Sequence, residues 1–323
     1  MDKDENLLKD FEEKYLKTKK TNRYLLCMVI FLTLVVVGFV IIVIINKKEG
    51  KGKEQEQEQE QGEGQGQGQG KENTTFDKCP EIKEVFGGPI GNGYIYSIWD
   101  CCKPSCSKTS NVGEGNETRT CDANMTIIPN NVTSICNGGS ATTCLSQIPF
   151  TIEGCNNMGF AFAKVPGYKE ICGRCFLLEF TGKGKDANRK YYELLKSKKL
   201  IVMATNFDYY DINAKSNQVF SILIPGGATG ETNRCSSILG DDLGNKWGGL
   251  SGECNEEIGY IADENILYTK RKECHINKCN NVFANITQAR EGCLFYANFL
   301  EVVGDALFNF KEIECPQVLK DKY

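Results

Sequence analysis

The most pronounced feature of the hydrophobicity pattern is one long apolar run near the N-terminus. Residues 25–45 read LLCMVIFLTLVVVGFVIIVII and contain no charge. About 20 apolar residues in a helix span the roughly 30 Å hydrocarbon core of a bilayer. A cleaved signal peptide is the alternative, but it would have a shorter apolar core followed by a small-residue cleavage site. Here Asn46-Lys47-Lys48-Glu49 follows, so the pattern predicts an uncleaved transmembrane anchor.

The segments on both sides of this run are polar. Residues 1–24 are charged and predict a short cytoplasmic tail. Residues 46–75 consist mainly of Glu, Gln, Gly and Lys, a composition that cannot bury enough surface to offset chain entropy. We therefore expect a disordered linker at 46–75 and a folded domain at 76–323.

The folded part has short apolar runs separated by Gly, Pro, Asn and Asp clusters, which is typical of strands joined by turns. The runs lie at 176–180, 200–204, 219–224 and 294–300. One helix is predicted at 187–198, with an apolar face formed by Tyr191, Leu194 and Leu195. The pattern predicts a mostly β, loop-rich domain but no particular topology.

Cysteines and glycosylation sequons indicate the compartment. All of the 17 cysteines except Cys27 follow the apolar run, an even number that suits disulfides in an oxidising environment. Basic residues flank the run on both sides, so the positive-inside rule contributes little. The Asn-x-Thr sequons also follow the run, at Asn73, Asn116, Asn124, Asn131 and Asn285. We expect a single-pass type II membrane glycoprotein, inserted through residues 25–45, with the folded domain extracellular or lumenal.

The octapeptide WDCCKPSC at 99–106 places a carboxylate beside an indole and three cysteines. It resembles the signature at the start of the catalytic domain in glycoside hydrolase family 45, the small cellulases. IPGG at 224–227 resembles the loop that follows the general acid of that family. CGRCFLLEF at 172–180, WGG at 247–249 and IECP at 313–316 resemble further family landmarks in the same order. The resemblance implies a six-stranded double-psi β-barrel with long disulfide-stapled loops and an open groove.

The family's disulfides can be carried over in part. The implied pairs are Cys101–Cys235, Cys102–Cys136, Cys106–Cys172, Cys121–Cys144, Cys175–Cys315 and Cys254–Cys293. The partners of Cys79, Cys155, Cys274 and Cys279 remain open. His275, between Cys274 and Cys279, is expected to lie in a short disulfide-closed insertion. The Cys172-x-x-Cys175 spacing is also compatible with zinc, but His275 is the chain's only histidine, so structural disulfides are favoured. Nothing indicates a metal or organic cofactor, and a net charge of −4 gives no basis for nucleic-acid binding.

Inverting hydrolysis of a β-glycosidic bond uses one carboxylate as base and one carboxylic acid as proton donor. The resemblance implies that Asp100 is the base. Ser221 occupies the position of the acid, and a serine hydroxyl is too weakly acidic for that task near neutral pH. Asp208 and Asp211, in a nearby loop, are candidate replacement acids; solvated loop carboxylates are the alternative interpretation.

Several side chains are candidates for contacts with sugar rings, although aromatic residues in this number are also ordinary core content. The candidates are Tyr96, Ile98, Trp99, Tyr209, Tyr210 and Trp247. The leading hypothesis is a membrane-anchored endo-β-1,4-glucanase-like hydrolase, with plant or cell-wall β-glucan as its partner. The alternatives are an inactive, expansin-like polysaccharide-binding protein and a cell-surface scaffold.

Overall fold

The computed structural model describes residues 79–186, 190–214, 218–231, 234–239 and 244–323. These residues belong to one compact unit, which extends over 73–323. The predicted cytoplasmic tail, the anchor at 25–45, the linker and Asn73 lie outside the described residues. Among the described helices, none has the length and apolar character that a membrane crossing requires.

The described part contains nine strands, six of which close into a barrel. The order around the barrel is β5-β7-β6-β9-β1-β8, and a β5–β8 pairing completes the ring. The β1–β8 and β5–β7 pairs are parallel, and the other pairs are antiparallel. The strands are β1 (Ile90–Ile98), β2 (Thr120–Cys121), β3 (Ile127–Ile128), β4 (Phe150–Thr151), β5 (Met158–Val165), β6 (Cys175–Gly184), β7 (Lys199–Phe207), β8 (Gln218–Leu223) and β9 (Ala306–Ile313).

Six α-helices in the described residues cover and connect the barrel. They are α1 (Thr109–Val112), α2 (Ser236–Leu239), α3 (Gly249–Ile258), α4 (Glu264–Val282), α5 (Thr287–Asn298) and α6 (Gln317–Lys320). The longest, α4, begins where the Asp263 carboxylate accepts the backbone N–H groups of Asn265 and Ile266, at 2.9 and 3.1 Å. Short 3-10 turns lie at Ser105–Ser107, Ile135–Asn137, Leu145–Gln147, Lys169–Ile171 and Lys190–Leu195.

Two predicted elements are wrong. The predicted strand at 294–300 lies largely in α5, where the buried Ala289, Gly292, Cys293 and Tyr296 follow helical spacing. A short apolar run does not distinguish a buried helix from a strand. The helix predicted at 187–198 is instead the 3-10 turn Lys190–Leu195.

Two side chains of that turn are buried in the core. Tyr192 and Leu195 are buried and lie three residues apart, which matches the three residues per turn of a 3-10 helix. Tyr191 packs against the core only in part, and Leu194 is exposed. The apolar face predicted from Tyr191, Leu194 and Leu195 is therefore not formed.

The barrel core is rich in aromatic side chains. Phe220 packs against Phe176, Phe308 and Phe310, with ring centroids 5.7, 5.2 and 5.1 Å away. Phe220 and Ile222 of β8 belong to this core. Successive side chains of a strand alternate between faces, so Ser221 lies on the opposite face of β8. The barrel thereby presents Ser221 outside its hydrophobic interior.

Eight disulfides use every cysteine of the described part. Five of the six pairs implied by the family resemblance are present: Cys101–Cys235, Cys102–Cys136, Cys106–Cys172, Cys121–Cys144 and Cys175–Cys315. Cys79 bonds to Cys155.

The expected Cys254–Cys293 pair is absent, because Cys254 bonds to Cys274 and Cys293 bonds to Cys279. Cys274 and Cys279 are five residues apart on α4, hence about 140° apart around its axis. They therefore face different neighbours, α3 and α5. His275 lies on this helix rather than in a disulfide-closed insertion.

Candidate active site

Asp100 lies just after β1, in a turn that a hydrogen bond and two neighbouring disulfides hold in place. Its Oδ1 accepts the backbone N–H of Cys102 at 2.9 Å. Cys101 adopts a left-handed conformation with φ of 58°. Disulfides fix Cys101 to Cys235 and Cys102 to Cys136. The carboxylate is therefore positioned by a rigid loop.

Burial, backbone hydrogen bonds and a nearby lysine all act on the charge of Asp100. Burial is the largest and raises the pKa of this carboxyl group above its ordinary value. The N–H of Cys102 and the positive charge of Lys164 act in the opposite direction and favour the ionised form. A carboxyl group with a raised pKa near a lysine is typical of a functional site as well as of a structural ion-pair network.

Lys164 of β5 and Ser221 of β8 are directly opposite each other in the antiparallel pair. On its other side Ser221 pairs with Tyr96 of β1. Ser221 is buried between these strands. The Lys164 ammonium forms an ion pair with Asp208, with Nζ and Oδ1 2.6 Å apart. Lys164 thus links the candidate residues Asp208, Ser221 and, through its charge, Asp100.

The structure separates the two candidate acids by their contacts. Asp208 contacts Lys164, beside Ser221. Asp211 is exposed, and its Oδ1 accepts the backbone N–H of Asn213 at 2.9 Å. The carboxylate of Asp211 therefore stabilises its own loop, and Asp208 is the better placed of the two.

Three of the predicted sugar-contacting aromatics are open to solvent. Tyr209, Tyr210 and Trp247 are exposed over 71%, 68% and 64% of their surface. The Tyr209 ring packs edge-on against Phe207 and against the exposed Tyr168, with centroids 5.0 and 6.2 Å away. These rings present the flat apolar surfaces that pack against sugar rings.

The other three residues predicted to contact sugar rings are less exposed than these aromatics. The Trp99 side chain is 3% exposed and belongs to a core cluster, so its ring does not face a groove. Ile98 is half-buried and packs against the same cluster. The Tyr96 hydroxyl donates a hydrogen bond to the backbone carbonyl of Trp247. Tyr96 therefore connects β1 to the loop that carries an exposed tryptophan.

Sequence reasoning missed Lys164 and Tyr168. Lys164 was recognisable in principle, because it is the one charge in the otherwise apolar strand MGFAFAKV. Tyr168 follows that strand in a turn and carries no comparable signal. The strand pairing is what places Lys164 beside Ser221.

His275 forms the one group of potential metal ligands found among the described residues, together with Cys279 and Cys293. The two sulfurs are joined in a disulfide, so they are not the thiolates that metals require. His275 Nε2 lies 3.3 Å from the Cys293 carbonyl oxygen, and burial lowers the pKa of the imidazole to about 4. This neutral histidine packs between α4 and α5.

The described domain is a disulfide-stapled barrel that carries a half-buried aspartate after β1. It also carries an ion pair between Lys164 of β5 and Asp208, which follows the neighbouring strand β7. Comparison with known proteins identifies its class. The profile described as glycosyl hydrolase family 45 matches residues 92–264. The chain belongs to glycosyl hydrolase family 45, and its fold is the mostly β, double-psi-like fold of that family.

Curated relatives are endoglucanases. An endoglucanase from Cryptopygus antarcticus is 31% identical over 235 residues, which are 72% of this chain and 88% of the relative. Endoglucanase B from Cellvibrio japonicus (strain Ueda107) is 36% identical over 236 residues, 71% of this chain and 44% of the relative. The match therefore spans less than half the length of the Cellvibrio protein.

A solved structure has the same fold. The crystal structure of a cellulase from the Antarctic springtail Cryptopygus antarcticus matches with a TM-score of 0.54 and 28% identity. The match covers 72% of this chain and 95% of the springtail protein.

Proposed function

We propose that the folded domain is an endo-β-1,4-glucanase that hydrolyses plant or cell-wall β-glucan with inversion of configuration. The observation that carries this proposal is the placement of Asp100. Its carboxylate is held by the Cys102 N–H and feels the charge of Lys164, which lies beside the acid position of the family. Membership of a family whose matched relatives are endoglucanases supports the same reaction class.

The reaction requires opposite roles on the two sides of the scissile bond. Asp100 takes a proton from the attacking water. The ion pair between Asp208 and Lys164, the strand partner of Ser221, supplies the group that protonates the leaving oxygen. Tyr209, Tyr210 and Trp247 provide exposed rings for stacking on glucose units.

The test is the release of reducing ends from soluble β-1,4-glucan by the full-length chain. We expect turnover in the native protein and in Ser221→Ala, within about threefold of each other, because the serine hydroxyl is not a proton donor. Each tenfold change corresponds to about 1.4 kcal/mol of barrier.

Ser221→Asp is the diagnostic variant. No turnover in the native chain, together with turnover in Ser221→Asp, would show that catalysis was lost at this residue and would reject the proposal. Glucan binding by such an inactive chain would identify a polysaccharide-binding protein instead.

The pH profile provides a second prediction. Since burial raises the pKa of Asp100, the base is protonated and inactive at low pH and becomes active as pH rises through that pKa. We expect the acidic limb of kcat/KM to lie above the ordinary aspartate value of about 3.9. Initial rates between pH 3 and 8 would measure it. A limb at or below the ordinary value contradicts this environment for the base.

The predicted anchor and compartment extend the proposal. The domain would be tethered to a bilayer through residues 25–45 and would work in an extracellular or lumenal space. Two observations support an oxidising, glycosylating compartment. All sixteen cysteines after the anchor are paired. The described sequon asparagines are exposed, at Asn116, Asn124, Asn131 and Asn285.

A further inference from the structure

Lys164 is the strand partner of Ser221, the residue at which the family resemblance implies a carboxylic acid. Lys164 and Ser221 are paired across the β5–β8 ladder, so their side chains leave the same face of the sheet. The Cβ atoms of directly opposed residues are about 4.5–5.5 Å apart. The Lys164 side chain is much longer than that of Ser221, and its ammonium reaches the Asp208 carboxylate. Lys164 and Asp208 are each about one-third exposed, at 36% and 35%, and so are accessible to a ligand.

The contact with Asp208 makes Lys164 the hydrogen-bond donor of the pair. The Lys164 Nζ and Asp208 Oδ1 atoms are 2.6 Å apart. In such a contact the ammonium N–H is the hydrogen-bond donor and the carboxylate oxygen is the acceptor. A lysine ammonium carries three N–H donors. Within this pair, Lys164 is therefore the member that holds a transferable proton.

The same lysine acts on the opposite partner of the reaction. Its positive charge lowers the pKa of Asp100 against the effect of burial and so favours the carboxylate that a base requires. The Lys164 ammonium thus influences Asp100 and contacts Asp208, and the residue itself is paired with Ser221. This arrangement links the base and the donor side of the site.

We propose that Lys164 is the proton donor to the leaving oxygen, and that Asp208 is a positioning residue that holds its ammonium. This inference rests on the proposed glucanase function. Water attacks the anomeric carbon while Asp100 removes a water proton, and a new carbon–oxygen bond forms. The glycosidic carbon–oxygen bond breaks, and its oxygen takes a proton from Lys164 Nζ. Lysine becomes a neutral amine and Asp100 a neutral acid, and proton exchange with solvent restores both.

The experiment compares two leaving groups in the full-length chain. Cellotetraose has an alkoxide leaving group that needs a proton, whereas 2,4-dinitrophenyl β-cellobioside releases a stable phenolate that does not. We expect Lys164→Met and Lys164→Arg to lower kcat on cellotetraose by about 10²–10⁴-fold. Turnover of the dinitrophenyl substrate should change by less than about tenfold. Arginine keeps the positive charge but does not release a proton in proteins.

The control is a second lysine–carboxylate pair on the barrel. Lys199 and Glu179 form an ion pair of 2.7 Å with similar exposure. Lys199→Met should leave both activities within about twofold of the native values, because a surface ion pair contributes little. Near-ultraviolet circular dichroism on each variant establishes that the barrel is folded.

Four results would overturn the inference. Full cellotetraose activity in Lys164→Arg would show that the charge alone matters. A leaving-group-selective loss in Asp208→Asn, without one in Lys164→Arg, would identify Asp208 as the acid. If the native chain hydrolysed the dinitrophenyl substrate but not cellotetraose, the site would have a working base and no proton donor. That result would reject Lys164 as the acid but would not reject Asp100 as the base. No native turnover of either substrate would reject the proposed function as well.

Discussion

Asp100→Asn is expected to lower kcat on soluble β-1,4-glucan by about 10²–10⁴-fold, which is the usual contribution of a general base. The amide cannot accept the water proton, but its oxygen can still accept the Cys102 N–H that the carboxylate accepts at 2.9 Å. The turn and its two disulfides are therefore retained. Reducing-end release at saturating glucan measures the change.

Asp122→Asn is a matched control for this substitution. The Asp122 carboxylate also accepts backbone N–H groups within a turn, from Asn124 and Thr126, both at 2.9 Å. It lies between β2 and β3, outside the described site. We expect its activity to equal that of the native chain within about twofold. Native-like turnover in Asp100→Asn would show that another group activates water.

Phe220→Ala is expected to reduce the free energy of unfolding by about 3–5 kcal/mol, the usual cost of truncating a buried phenylalanine. Phe220 is fully buried, and its ring contacts three other phenylalanines across the barrel interior. The alanine methyl group would leave most of the volume of that ring empty. Denaturant unfolding with the disulfides intact, followed by circular dichroism, measures the difference.

Phe86→Ala removes the same atoms from the surface. The Phe86 side chain is fully exposed, so this change should alter the free energy of unfolding by no more than about 0.5 kcal/mol. Equal destabilisation by the two substitutions would contradict the packing described for the barrel. A large difference, with Phe220→Ala the less stable, supports it.

Much of the barrel was predictable from local patterns. The runs at 176–180, 200–204 and 219–224 lie in β6, β7 and β8, apart from the final residue of the last run. The structure of the run at 294–300 was not predictable in this way. Residues of α5 are buried, and a short apolar run of a buried helix looks like a strand in the sequence. The expected Cys254–Cys293 pair was carried over from the family resemblance, and here Cys254 bonds to Cys274 instead. Its partner is determined by which face of α4 meets α3, and this cannot be derived without knowing that the helices exist.

The site was predictable only where a motif defines it. The octapeptide at 99–106 pointed to Asp100, and the IPGG loop pointed to Ser221. The burial of Trp99 depends on the direction in which the chain leaves β1, which neighbouring residues do not reveal. The placement of Lys164 beside Ser221 became visible only through the β5–β8 register, since 57 positions (221 minus 164) separate the two residues in the chain. Long-range strand pairing therefore carries the part of the chemistry that local sequence does not show.

The most direct test of the central claim is proton NMR of the products that the full-length chain releases from cellotetraose at early times. Hydrolysis with inversion places water on the face opposite the leaving group. We predict that α-anomeric reducing ends appear first and then mutarotate towards the equilibrium mixture. Initial β-anomeric products, or no products at all, would contradict an inverting glucanase built around Asp100.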